Sequence, residues 1–189
     1  MYRHEQEPVT FQRDVEAVMV PAGVPVTLRE GKTGFITQAL GGSFTVYVEG
    51  NLFRVAGKDA DALGKEAVLG PELPPNATDD DVKELVWEQM RQCYDPEIPI
   101  NIVELGLVYS CEITREPGEP GHDQNDRVAT IKMTLTAPGC GMGEVLVQDV
   151  KDKVELVPTI KRADVELVFD PPWNQTMMSE AARLQTGMM

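Results

Sequence analysis

The residues best suited to chemistry lie in the run Thr134-Leu-Thr-Ala-Pro-Gly-Cys-Gly-Met-Gly-Glu144. An alternating apolar stretch precedes it and an amphipathic one follows it. Cys140 is therefore expected on a Gly-rich turn between a strand and a helix. A thiol there sits near unpaired backbone N–H groups and the positive end of the helix dipole, and both favour thiolate. Gly139, Gly141 and Gly143 keep side chains away from the sulfur and permit positive φ. The competing reading is a small buried residue beside a turn, because free Cys is among the most buried residue types. A phosphate loop does not fit. The Lys-Ser/Thr ending is missing and the Gly-x-Gly-x-x-Gly spacing is not met.

A second group of candidates is Asp95, Glu97 and Glu104, in Asp95-Pro-Glu-Ile-Pro-Ile-Asn-Ile-Val-Glu-Leu-Gly-Leu-Val108. Two prolines forbid a regular helix through Ile98. The segment must be a structured loop, then a turn of helix at Ile102 to Leu105 stopped by Gly106. The acids are either caps of that loop or part of a site. Cys93 falls on a helical face with Val82, Leu85, Val86 and Met90 and is expected in the core. His4 and His122 both lie in polar segments, with His122 read as a surface residue.

These candidates need elements to hold them. Thr78-Asp-Asp-Asp81 starts a helix, with Thr78 as cap and acids in the first turn. Val108 to Arg115 and Arg127 to Leu135 read as strands around a polar loop, Glu116 to Asp126. Gly143 to Leu156 reads as a helix with Leu146, Val150 and Val154 inward. Ile160 to Phe169 is a third strand with Phe169 inward, and Gln175 to Leu184 a last helix. The order is helix, two antiparallel strands, helix, strand, helix: an α+β sheet with helices on one face. Before it, residues 24–28, 34–38, 43–48 and 52–55 are four short β-type runs punctuated by glycines, with Gly50-Asn51 as a tight hairpin. They suggest a small SH3-like all-β domain. Residues 1–20 are hard to read, with Asp14 to Val20 either a short strand or a turn. Asp59 to Gly64 looks like a closing turn with two solvated carboxylates. The expected domains are 1–70 and 78–189, with a Pro-rich linker at 71–77.

Bulk properties exclude several classes. The 189 residues carry a net charge of −14, which argues against nucleic acid and against an anionic membrane surface. Residues 76–189 hold 21 acidic and 10 basic side chains, a net −11, against 10 and 7, a net −3, before them. No apolar stretch approaches the roughly 20 residues needed to span a bilayer. The polar start at Met1 to Asp14 does not read as a signal peptide. Three widely spaced cysteines do not make a disulfide framework, and a cytoplasmic setting is expected.

Four ordered blocks carry a resemblance over residues 78–187. They are Asp95-Pro-Glu-Ile-Pro, Glu104-Leu-Gly-Leu-Val, Thr134-Leu-Thr-Ala-Pro-Gly-Cys140, and Asp164-Val-Glu-Leu-Val-Phe-Asp-Pro-Pro-Trp173 followed by Met178-Ser-Glu-Ala-Ala. This region resembles the iron–sulfur cluster assembly domain family, the metal–sulfur cluster maturation factors. Gly141 stands where the commoner version has Pro. That variant, with Gln38-Ala-Leu-Gly-Gly42 and Asp59-Ala-Asp-Ala-Leu-Gly64 upstream, is similar to the SufT branch. The resemblance implies a non-enzymatic accessory factor with Cys140 as functional thiol. Asp95, Glu97, Thr136, Gly139, Gly141 and Trp173 would line the site. The implied partners are the iron–sulfur assembly machinery and apo client proteins.

A cluster commonly takes four Cys ligands, and this chain offers one plausible exposed thiol. No tightly bound cofactor is expected. What remains is transient holding of iron or a cluster, ligation by Cys140 across a homodimer, or contact with a client's own cysteines. A thiol enzyme using Cys140 as nucleophile would need a base such as His, or Asp95 or Glu97 in its place. A pure interaction adaptor with an inert thiol is the third reading.

Overall fold

The computed structural model describes residues 6–40, 42–116 and 125–188. His4 and His122 lie outside them. The chain divides into two compact units, Met1–Leu69 and Gly70–Met189.

The N-terminal unit is a single antiparallel sheet of six strands: β1 (Glu7–Thr10), β2 (Val15–Val20), β3 (Pro25–Leu28), β4 (Thr33–Leu40), β5 (Ser43–Val48) and β6 (Asn51–Val55). Their order is β1-β4-β5-β6-β2-β3. Four strands were expected, with Asp14 to Val20 either strand or turn; that stretch forms β2, and Glu7–Thr10 adds β1. Alternation does the work, since Val15 and Ala17 are buried and Glu16 is exposed. The β5–β6 hairpin turns at Glu49 and Gly50, both at positive φ (48° and 90°), and Val48 faces Asn51. The turn thus sits one residue earlier than the Gly-Asn pair suggested, in the twist that two-residue hairpins favour. A short 3-10 helix, Gly57–Leu63, follows. Its Asp59 and Asp61 are not simply solvated: both accept from the Arg13 guanidinium, at 3.0 and 2.7 Å.

The C-terminal unit runs α1 (Asp79–Met90), β7 (Val108–Arg115), β8 (Arg127–Met133), α2 (Gly143–Val154), β9 (Ile160–Leu167) and α3 (Glu180–Thr186). At the start of α1, Thr78 Oγ1 accepts from the Asp81 amide and the Asp81 carboxylate accepts from the Thr78 amide. That is the reciprocal capping box. β7 pairs antiparallel with β8, and β8 pairs parallel with β9. A parallel pair needs a crossover, and α2 is that crossover. Val82, Val86, Met90, Ile131, Met133, Leu146 and Val150 form the core between sheet and helices. Gly70 is pressed against the Leu156 carbonyl and Leu73 packs on that core.

Two expectations are corrected here. β9 stops at Leu167, and Phe169 is 47% exposed rather than inward. The last helix is split into a 3-10 turn at Gln175–Met177 and α3, because Ser179 caps α3 by accepting from the Ala182 amide.

Candidate functional site

Strand direction gathers three loops at one edge of the C-terminal sheet. β8 and β9 run parallel and end together, with Met133 beside Leu167. β7 runs the other way and begins there, with Val108 beside Met133. The loop entering β7 (residues 91–107), the turn leaving β8 (134–142) and the arm leaving β9 (168–179) therefore share that edge. In sheets with parallel strands this carboxyl edge is where ligands bind.

The turn after β8 holds Cys140. Its amide donates to the Ala137 carbonyl at 3.2 Å, and its own carbonyl accepts from the Gly143 amide at 3.1 Å. α2 starts at Gly143 with no side-chain cap. Gly139 takes φ +77°, which a side chain would strain. Gly141 does not take positive φ, and open space surrounds both positions. Gly143 serves another purpose than expected: a Cβ there would meet Leu135 Cδ1 at 2.9 Å. Cys140 is half-buried and packs against the edge of the core, while Cys93 and Cys111 are buried. Burial pushes the Cys111 thiol up to about 11. Of the three free thiols, Cys140 is the one within reach of solvent.

Asp95 is 6% exposed. Its Oδ1 accepts from the amides of Glu97 and Ile98, both at 2.9 Å. Its Oδ2 accepts from Thr136 Oγ1 at 3.2 Å. Asp95 and Thr136 are thus brought together, and their bond joins the loop before β7 to the Cys140 turn. Glu97 is exposed and its side chain takes no part in that network. Trp173 is half-buried, and its indole N–H donates to the Leu105 carbonyl at 2.7 Å, as a packing anchor does.

Glu104 is a clasp for α3. Its carbonyl accepts from the Ser179 amide at 2.8 Å, and its carboxylate accepts from the Ser179 hydroxyl. Tyr109 Oη donates to the Pro171 carbonyl at 2.7 Å. Residues 102–106 form a hydrogen-bonded turn rather than a helix, capped by Asn101 Oδ1, which accepts from Val103 and Glu104. Gly106 ends it at φ +72°, where a Cβ would lie 2.2 Å from the Met177 carbonyl.

Sequence reasoning missed a buried pair on α2, Asp149 and Lys153. Its signal was present, an acid and a base four residues apart on the core side of a helix. It also missed Thr134, 1% exposed, whose hydroxyl has no hydrogen-bond partner among the described residues. Among the described residues, no group of three or more His, Cys, Asp and Glu side chains is placed to hold a metal ion. No helix among them is long and apolar enough to cross a membrane.

Comparisons with known proteins bear on this unit. A sequence model of the family described as "Iron-sulfur cluster assembly protein" matches residues 83–167. An Fe-S protein maturation auxiliary factor of Porphyromonas gingivalis is 38% identical over 57% of this chain and 92% of its own. The auxiliary factor SufT of Staphylococcus aureus is 37% identical over 50% of this chain and 96% of its own. The auxiliary factor YitW of Bacillus subtilis is 33% identical over 57% and 95%.

Proposed function

The chain belongs to the iron–sulfur cluster assembly protein family, and from that premise we propose that it is a non-enzymatic accessory factor for maturing iron–sulfur proteins. Cys140 acts on iron, a cluster or a client thiol as transient cargo. The observation that carries this is the exposure contrast: two thiols are enclosed in the core, and the half-exposed one sits on the turn at the carboxyl edge of the sheet. A lone thiolate gives a labile ligand, which suits a carrier that must release what it holds. The remaining ligands come from a second subunit or from the client. Asp95 and Thr136 fix the turn, Gly139 and Gly141 leave its flanks open, Glu97 offers an exposed carboxylate beside it, and Trp173 anchors the neighbouring arm. The partners are the assembly machinery and apo client proteins in the cytoplasm. The N-terminal sheet acts as a separate small-barrel module on the chain.

The test is Cys140→Ser in cells lacking the protein. The variant keeps the size of the side chain and loses the soft ligand. It should accumulate as folded protein and fail to restore cluster-dependent enzyme activity. Restoration equal to that of the unmodified protein would overturn the assignment. An anaerobic titration with ferrous iron and sulfide, read by visible absorption, separates cluster holding from a purely thiol-based contact.

A further inference from the structure

Asp149 and Lys153 stand one turn apart on α2, with 8% and 5% of their surface exposed. The Lys153 ammonium donates to Asp149 Oδ2 at 2.9 Å and to the Gln92 carbonyl at 3.0 Å. Gln92 follows the end of α1, whose last turn has no basic residue of its own. Lys153 thus adds from another helix a second cation at this C-terminus, beside the C-cap Arg91, where positive charge is favoured. Taking both charges out of water is costly, and apolar side chains of the same volume are often as stabilising. What directional bonds add is register, because they select one relative position of two apolar helix faces.

The position selected matters because the contacts close a ring. From Lys153 the path enters Gln92. The next residue, Cys93, accepts from the Ile102 amide at 2.9 Å, and Tyr94 bridges to Asn101. Asp95 follows and takes the Thr136 hydroxyl. From Thr136 the chain runs through Cys140 into α2, whose 12 residues span about 18 Å and return to Lys153. Gln92 and Asp95 are three residues apart, so roughly 10 Å of chain at most separates the two fastenings.

We propose that Lys153, held by Asp149, is a positioning residue for the Cys140 turn, locking α2 to the segment that carries Asp95. The positional claim stands on this ring alone. Its functional meaning rests on the reading of Cys140 given above.

The experiment uses the full chain with Asp149→Leu and Lys153→Met together. Two readouts follow the ring: amide exchange at Glu97 and Ile98, which both donate to Asp95, and the rate at which iodoacetamide labels Cys140. The double variant should melt within a few degrees of the unmodified protein, since apolar replacements of buried pairs are tolerated. Exchange at Glu97 and Ile98 should nevertheless rise by about tenfold or more, and Cys140 labelling should change severalfold. Lys153→Arg, which can reach both acceptors, should restore both. Unchanged exchange and labelling in the folded double variant would overturn the proposal. Should the double variant not fold, Asp149→Asn keeps the shape and removes the charge, and the same two readouts decide. Failure of the Cys140 reading would appear separately, as a Cys140→Ser protein that still supports cluster enzymes while the exchange result stands.

Discussion

Every ladder in the N-terminal unit is antiparallel, whereas the C-terminal unit has one antiparallel and one parallel pair. The consequences differ. Several strands of the first unit join through short turns, and its outer face carries Pro8, Phe35, Tyr47 and Leu52 in one cross-strand row. Its charged side chains pair across the surface, as Arg13 with Asp59 and Asp61 or Lys32 with Glu49. In the second unit the parallel pair forces a crossover helix. That crossover puts the Cys140 turn, the loop before β7 and the arm after β9 at one edge. A site arises where topology brings distant loops together, and the unit with the parallel pair is the one that does so.

The contrast is tested most sharply by cutting the units apart. A chain of residues 70–189 should show its own cooperative melting transition, being large enough to hold a core. In it, iodoacetamide should mark Cys140 far ahead of Cys93 and Cys111, by about a hundredfold, because enclosed thiols react only on opening. Peptide mapping of the labelled protein checks this. Labelling that reaches Cys111 first would break the distinction between the edge and the core.

Asp95→Ala should come next in size. It strands two amides and a hydroxyl in a partly buried setting and should cost about 1–2 kcal/mol in denaturant unfolding of the 70–189 chain. Glu97→Gln, on an exposed side chain, should stay within about 0.5 kcal/mol. Equal costs would mean that the loop is not fastened through Asp95.

Starting the excised chain at Asn76 instead of Gly70 removes Leu73 from the core and should cost about 1 kcal/mol. No difference between the two chains would make residues 70–75 a spacer rather than part of the second unit.

The smallest effect concerns acid. Arg127, and then Arg115, hold the Asp79 carboxyl below the usual carboxylate range. A lowered folded value means stability that is present above the unfolded value and lost as pH falls through the folded one. Asp79→Asn should therefore lower the stability of the 70–189 chain slightly at neutral pH, where that contribution is present, and flatten the further loss below about pH 4, where the two proteins converge. In the first unit, the Glu30 amide and then Arg29 do the same for Asp14, so the full chain would mask the effect. An unaltered acid limb in Asp79→Asn would show that Arg127 and Arg115 do not act through this carboxylate.

Local sequence determined the elements of the second unit. Thr78 and Asp81 were legible as a helix start because capping needs only residues three apart. The alternating apolar stretch before Cys140 marked a strand, and the glycines around Cys140 marked a turn between strand and helix. The first strand was not legible, since Glu7-Pro-Val-Thr10 is too short to alternate and gains its identity by pairing with β4. Phe169 was misread because apolar character does not reveal where a strand ends. The roles of the acids were not legible either. Asp95 bonds to a residue 41 positions away and Glu104 to one 75 positions away, and no local pattern encodes such partners. The sequence by itself supplied the thiol, the turn and the helix. Only the tertiary structure decided that Cys111 is enclosed, that Asp95 is a fastening, and that Lys153 on α2 reaches Gln92. Burial and long-range hydrogen bonds are properties of the packed chain, set by how strands and helices converge and not by which residues stand next to one another.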